Sequence, residues 1–130
     1  MTAAEMLARA TCSRNKYFAT HVRCDGYTFD SKAEYLRYLV LRDMVARGEI
    51  VDLAVHPRFC IVSPFRDWQG SRHRARFYEA DFQYCDKSGK DWVEDVKGVR
   101  TREYILKREL FLSLYRGTCF REVEARRRTR

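Results

Sequence analysis

Two strand-like runs in this chain are separated by a single tight turn, which leaves them paired with each other. The first spans about Arg74 to Tyr84 and the second Asp91 to Lys97, with Lys87-Ser88-Gly89-Lys90 turning the chain between them. Side chains alternate faces along a strand, so Asp91, Val93, Asp95 and Lys97 share one side. Trp92, Glu94 and Val96 share the other. Lys97 therefore partners Asp95, while Glu94 points away from it. The preceding run carries Asp81 within Tyr78-Glu79-Ala80-Asp81-Phe82, flanked by apolar residues as a core-adjacent position would be. As a hairpin, the two runs bring Asp81 and Asp95 toward each other across the ladder.

The rest of the chain supplies elements around this pair. Thr20 to Phe29 reads as a short hairpin, because Asp25-Gly26 accepts the positive φ angles of a two-residue turn. Asp30 and Ser31 open a helix that runs to about Arg47, with Ala33, Leu36, Leu39, Val40 and Met44 as its apolar stripe and Gly48 as its stop. Ala54 to Val62 is strand-like, with Val55, Phe59 and Ile61 on one face, and Pro57 suggests an edge position. Ser63 to Ser71 is rich in turn residues. Gly98 ends the strand at Lys97, and Thr101 to Tyr115 forms a second helix with Ile105, Leu106, Leu110, Phe111 and Leu114 inward. Gly117 closes that helix and Thr118 to Val123 returns as a last strand. The order is helix, three strands, helix, strand after an N-terminal hairpin, which makes an α/β or α+β layer fold with a mixed sheet. The expected organisation is an N-terminal arm (1–16), one domain (17–123) and a basic tail (124–130).

The bulk composition excludes several classes. At 130 residues, 45% of them hydrophobic and 14% aromatic, the chain builds a core and is not a disordered one. No apolar run approaches the roughly eighteen residues of a membrane span, and Met1 to Thr11 lacks the basic and apolar regions of a signal peptide. The five cysteines, Cys12, Cys24, Cys60, Cys85 and Cys119, are odd in number and scattered, which suits reduced thiols in a cytoplasm. His21-x-x-Cys24 has no second pair to complete a zinc site. The net charge of +8, from 26 Lys plus Arg against 18 Asp plus Glu, points to a polyanion such as nucleic acid, with a solvated arginine-rich surface as the competing reading.

Two carboxylates held close repel and raise each other's proton affinity unless a cation lies between them. Oxygen ligands favour a hard divalent ion such as magnesium, with manganese as its substitute. Lys97 beside that ion would orient a water or offset developing negative charge. The D-x-K string by itself is weak, since Asp30-Ser31-Lys32 matches it at a helix start where no shared face exists. An exposed surface pair is the bland alternative for Asp95 and Lys97. Glu34 likewise has two readings. Ser31-Lys32-Ala33-Glu34 is a capping box, in which the glutamate binds backbone, and Glu34 is also an acid available to a site.

Asp81, then Asp95-Val96-Lys97 after a short turn, then a helix, resembles the core of the PD-(D/E)XK nuclease superfamily, whose αβββαβ arrangement the element order also matches. Phe29-Asp30-Ser31-Lys32-Ala33-Glu34, Tyr78-Glu79-Ala80-Asp81-Phe82 and Glu94-Asp95-Val96-Lys97-Gly98 resemble a family of small phage and prophage proteins in that superfamily, related to Holliday-junction resolvases and phage endonuclease I. The resemblance runs from about Lys16 to Val123. It implies a magnesium-dependent DNA endonuclease with a restriction-endonuclease-like core, in which Glu34, Asp81 and Asp95 bind metal together with the Val96 carbonyl. Glu34, Asp81, Asp95 and Lys97 would be the catalytic set, with Lys97 positioning the water. The motif's proline is replaced here by Ala80, and Glu79 adds an acid of no assigned role.

Arginine outnumbers lysine, and its planar fork suits phosphate oxygens. Arg72, Arg74, Arg76, Arg100, Arg102 and Lys107 are the expected nucleic-acid contacts, with Tyr104 and Trp68 as aromatic platforms for bases or sugars. A half-buried loop anchor competes for Trp68. His56 and His73 read as surface or hydrogen-bonded residues. DNA is the expected partner, with a homodimer if the substrate is a symmetric junction. The alternatives are a non-catalytic nucleic-acid-binding module on the same fold and an unrelated interaction protein.

Overall fold

The computed structural model describes Ser13–Arg14 and residues 20–125; most of the expected arm (1–16) and the tail beyond Ala125 lie outside the described residues. Ser13–Arg14 (β1) pairs antiparallel with Thr20–Cys24 (β2), so the expected arm contributes a short strand. β2 then pairs with Tyr27–Phe29 (β3) through the Asp25-Gly26 turn, where φ is +54° and +83°. Lys32–Ala46 (α1) follows, capped by the Ser31 hydroxyl accepting from Glu34 N–H at 3.1 Å.

Ile50–Val55 (β4), Phe82–Asp86 (β9), Asp91–Lys97 (β10) and Cys119–Glu124 (β11) make the main sheet in the order β11-β10-β9-β4. β4 with β9 and β9 with β10 are antiparallel, whereas β10 and β11 are parallel and joined over the sheet by Arg102–Leu114 (α2). This is a mixed α/β architecture in the expected order of helix, three strands, helix, strand. Arg58–Val62 (β5) and Arg76–Glu79 (β8) pair with each other, and between them Phe65–Arg66 (β6) and Arg72–His73 (β7) form a small projecting hairpin. The turn-rich segment at 63–71 is therefore an ordered hairpin. Among the described residues no helix is long and apolar enough to cross a membrane.

The helices cover opposite faces of the sheet. On the α1 side, Tyr38 and Leu41 pack with Phe29, Phe82, Tyr84 and Ile50, backed by Trp92 and Val96. On the α2 side, Phe111 and Tyr104 pack with Ile61, Tyr78, Ala80 and Val93. Truncating a fully buried aromatic such as Phe82 or Phe111 to alanine costs about 3–5 kcal/mol.

On both helices the expected inward stripe holds in part: Met44 on α1 and Ile105, Leu110 and Phe111 on α2 pack into the core as expected, while other positions differ. On α1, Leu36 and Val40 are about half exposed, and the buried positions are Glu34, Tyr38 and Leu41. On α2, Leu106 and Leu114 face solvent while Tyr104 and Phe111 are buried. Polar partners on distant strands set the phase. Arg37 reaches across to Glu94 with Nε–Oε1 and Nη2–Oε2 distances of 2.7 Å, and Glu34 reaches His56.

The two long strands anticipated at 54–62 and 74–84 are each broken. His56 adopts φ +56°, and Val55 before it packs on the α1 side whereas Phe59 and Ile61 after it pack on the α2 side. Tyr78 and Ala80 likewise face α2, and Phe82 and Tyr84 face α1. A continuous strand would keep these same-parity residues on one face. Both strands therefore change sides at one level, bridged by His56 N–H to Asp81 C=O at 2.9 Å and Ala80 N–H to Pro57 C=O at 3.0 Å.

Candidate active site

The polar cluster lies where the two strands change sides. A residue at such a crossing belongs to neither apolar layer, so its side chain needs polar company. Asp81 occupies it on β9's threshold. Its Oδ2 accepts from the Val96 N–H at 2.6 Å, and its own N–H donates to the Glu94 carbonyl at 3.1 Å. These two backbone contacts fix the carboxylate beside β10. From the α1 side comes Glu34, 4% exposed, whose Oε1 lies 2.6 Å from His56 Nε2. Glu34 Oε2 also accepts from the Asp30 N–H at 3.3 Å. The cap and the cluster are thus held by one side chain, and the two readings of Glu34 are compatible.

From the α2 side comes Asp95, 1% exposed, with the Tyr78 hydroxyl donating to Oδ2 at 2.5 Å. The Lys97 ammonium lies 3.1 Å from Asp95 Oδ1 and 4.5 Å from the centre of the Tyr104 ring. That ion pair lacks the alignment of a hydrogen bond, and no hydrogen-bond donor reaches Oδ1 among the described residues. The expected alternation along β10 holds: Glu94, wholly buried, points to the α1 side and takes Arg37 and the Tyr84 hydroxyl.

Electrostatics mark Asp81 as the strained member. Burial first, then the charges of Asp95 and Glu34, push its carboxyl up to about 8, with the Val96 N–H opposing. Burial also raises Glu34, although the His56 imidazole offsets part of the effect. A group of acids that resists ionising together is one that a cation would relieve.

The donor set fits a divalent ion. Glu34, His56 and Asp81 each offer a ligand atom, and these atoms lie within 4.8 Å of one another. Asp95 Oδ1 adds a buried oxygen short of hydrogen-bond donors. Val96 meets Asp81 through its N–H, while its side chain joins the α1-side core. His56 is the member that sequence reasoning missed. It is hydrogen-bonded, as expected of it, but inside the acidic cluster. The signal available was its place before Pro57, in a run expected to be a strand, where a break in the ladder was due.

Asp95 and Lys97 open onto a cleft of about 320 Å³, lined also by Arg58, Glu79, Thr101 and Lys107. Of the expected nucleic-acid contacts, Lys107 reaches this cleft and pairs with Glu103 at 3.1 Å. Arg72, Arg74 and Arg76 are exposed along the β7–β8 segment, and Arg102 is exposed at the start of α2. Arg100 is committed to Glu122 at 2.5 Å and Glu124 at 3.7 Å. Tyr104 departs from expectation: it is 9% exposed and packed in the α2-side core, so its ring supports Lys97 and is closed to stacking on a base. Trp68, 92% exposed, is no half-buried anchor.

No curated protein and no solved structure matches this chain. A family model described as "Protein of unknown function (DUF1064)" matches residues 14–127. That span takes in both helices, the whole main sheet and every member of the acidic cluster, and the chain belongs to this family.

Proposed function

We propose that this protein is a divalent-metal-dependent DNA endonuclease of the PD-(D/E)XK type, acting on branched or junction DNA. The observation that carries the reading is the position of Asp81 between Glu34 and His56 on one side and Asp95 with Lys97 on the other. Glu34, His56, Asp81 and Asp95 would hold the ion, with the Val96 carbonyl as the resemblance implies. When bound, such an ion supplies Lewis-acid polarisation of a phosphate oxygen and a more acidic water.

The chain's own residues do the rest. Tyr78 and the Val96 N–H fix the orientation of Asp95 and Asp81, so that neither carboxylate must reorganise when substrate arrives. Lys97, held over Tyr104, keeps a positive charge at the mouth of the cleft, where it orients water and offsets charge building on the phosphate. Arg58 and Lys107 on the walls suit the flanking phosphates. Free Cys24, Cys60, Cys85 and Cys119 fit a reducing cytoplasm, the setting proposed for this activity.

The test is cleavage of labelled four-way junction, flap and continuous duplex DNA in magnesium and in manganese, with chelator as control. Cleavage that requires the ion and is lost in both Asp81→Ala and Asp95→Ala supports the assignment. Near-normal cleavage by both variants ends it. Salt-sensitive binding without any cleavage favours a binding module on the same fold.

A further inference from the structure

The β6–β7 hairpin is small, rigid and oddly armed. Its turn is tied by Asp67, whose Oδ1 accepts from the Gln69 and Ser71 N–H groups at 3.0 Å each and whose Oδ2 meets His73 Nε2 at 2.9 Å. Arg66 Nη1 donates to the Gly70 carbonyl at 3.1 Å, and Gly70 takes φ +84°, a conformation that a side chain would strain. Phe65 stacks on His73 with ring centres 4.5 Å apart and planes 8° from parallel. A two-stranded hairpin of this size is marginal by itself, and these contacts hold it in shape.

What the rigid turn displays is Trp68. It is 92% exposed and makes no hydrogen bond or ring contact among the described residues. An indole left in water on a fixed support has a large apolar surface to bury, and an N–H that keeps one edge polar. The surface beside it is cationic. Arg72, Arg74 and Arg76 follow along the chain, exposed and outside any ion pair among the described residues. An aromatic platform beside a row of arginines matches a base stacked next to a phosphate backbone.

The arm is also continuous with the candidate active site. A concavity of about 800 Å³ at the arm, containing Arg66, Arg72 and Arg74, shares Ala75 with a second of about 540 Å³. The second shares Arg58, Phe77, Lys107 and the acid Glu103, which pairs with Lys107, with the cleft at Asp95. Arg76 is five residues from Asp81, at most about 18 Å of chain. One DNA strand can therefore run from the cleft to Arg76, at the base of the arm, within about five base pairs of rise.

We propose that Trp68 stacks on a base that is unpaired at a branch in DNA, with Arg72, Arg74 and Arg76 holding the adjoining phosphates. A continuous duplex offers no free base face to the indole, so the arm makes the protein prefer DNA with an unstacked base near the cut. This rests on the nuclease reading for its substrate, but the test needs no cleavage.

Binding of labelled forked DNA and of continuous duplex of matching sequence is measured by anisotropy in chelator, for the full chain and for Trp68→Ala and Trp68→Phe. The full chain binds the fork more tightly. Trp68→Ala weakens fork binding by roughly tenfold, the loss of one stacked base, and leaves duplex binding within about twofold. Trp68→Phe retains most of the fork affinity, and melting temperatures are unchanged because the indole is 92% exposed and makes no hydrogen bond or ring contact among the described residues. Unaltered fork binding by Trp68→Ala overturns the proposal, and so does an equal loss on fork and duplex. A Trp68-dependent fork preference alongside near-normal cleavage by both Asp81→Ala and Asp95→Ala would sink the nuclease reading alone.

Discussion

His56 and Asp81 face each other at the level where two neighbouring strands change the side of the sheet on which they pack, joined by the His56 N–H to the Asp81 carbonyl at 2.9 Å. His56 holds φ +56° there, a left-handed value that costs a side-chain residue about 1–2 kcal/mol. That cost brings an imidazole to within 2.6 Å of Glu34 in an otherwise all-oxygen cluster.

The first prediction uses this backbone strain. His56→Gly removes the imidazole and with it Glu34's partner, but it relaxes the left-handed backbone and Glu34 keeps the Asp30 N–H, so the fold should survive with a partly offset loss of stability. A nitrogen donor suits manganese and later transition ions better than magnesium. Titrating each ion against melting temperature should show a manganese preference in the full chain that shrinks in His56→Gly. An identical ion preference in the two proteins would remove His56 from the ligand set.

The pH dependence of the metal-free protein follows from Asp81. Burial, then the charges of Asp95 and Glu34, push its folded-state carboxyl up to about 8, well above the ordinary carboxylate range. Between the unfolded and folded values the native state holds a proton that the unfolded chain has released. Stability from this group is therefore fully present below about pH 4 and falls as pH rises toward 8, by at most about 1.4 kcal/mol per pH unit. Raised Glu34 acts in the same direction. Asp81→Asn should flatten this fall and raise the melting temperature at pH 8, and a bound divalent ion should flatten it in the full chain. A melting temperature that climbs from pH 5 to 8 without metal would contradict the geometry.

Asp95 and Lys97 are legible in the sequence because both sit on a strand whose alternation and length, Asp91–Lys97, are strictly local properties. Asp81 is legible through the short turn that forces the hairpin. The change of sides at His56 and Asp81 is not, since it depends on two breaks occurring opposite each other in strands 25 residues apart in sequence. The inward face of α1 is hidden for a related reason. A search for apolar periodicity selects Leu36 and Val40, whereas the helix is turned by Glu34 and Arg37, whose partners are His56 and Glu94. Tyr104 lies among charges in sequence, which points to the surface, but its place on α2 faces Lys97 and the core.

Phosphate binding by the β7–β8 arginines predicts a salt effect. Replacing Arg72, Arg74 and Arg76 together should lower duplex affinity and reduce the logarithmic salt slope by about 0.9 for each phosphate that is no longer neutralised. The exposure of these side chains argues that stability will not change. A slope equal to that of the full chain would make the segment a solvated face.

The α1–sheet clamp gives a prediction about stability alone. Glu94 is wholly buried and takes two hydrogen bonds from Arg37 at 2.7 Å and one from Tyr84, with Arg121 more distant at 3.9 Å. Arg37→Ala strands that carboxylate and should cost about 3–5 kcal/mol in denaturant unfolding. Arg37→Met combined with Glu94→Leu removes both charges and should recover most of the loss. If the single variant is as stable as the full chain, the pair does not hold α1 to the sheet.

Glu34 joins the helix cap to the acidic cluster, and glutamine separates the two roles. The Ser31 hydroxyl caps the Glu34 N–H whatever the side chain, and a glutamine oxygen can still accept from the Asp30 N–H. Glu34→Gln should therefore keep helix-start stability. Removing a buried charge beside Asp81 also lowers repulsion, so the metal-free protein should melt no lower than the full chain at pH 8. The neutral amide no longer offsets a cation, so ion-induced stabilisation should weaken and cleavage should fall by at least tenfold, with DNA affinity in chelator retained. Glu34→Ala loses the Asp30 contact too and should cost about 1 kcal/mol more. Unfolding and single-turnover cleavage on the same preparations decide the matter. A glutamine variant that cleaves at the full rate across ion concentrations would confine Glu34 to capping, and the site would then consist of Asp81, Asp95 and Lys97 with His56.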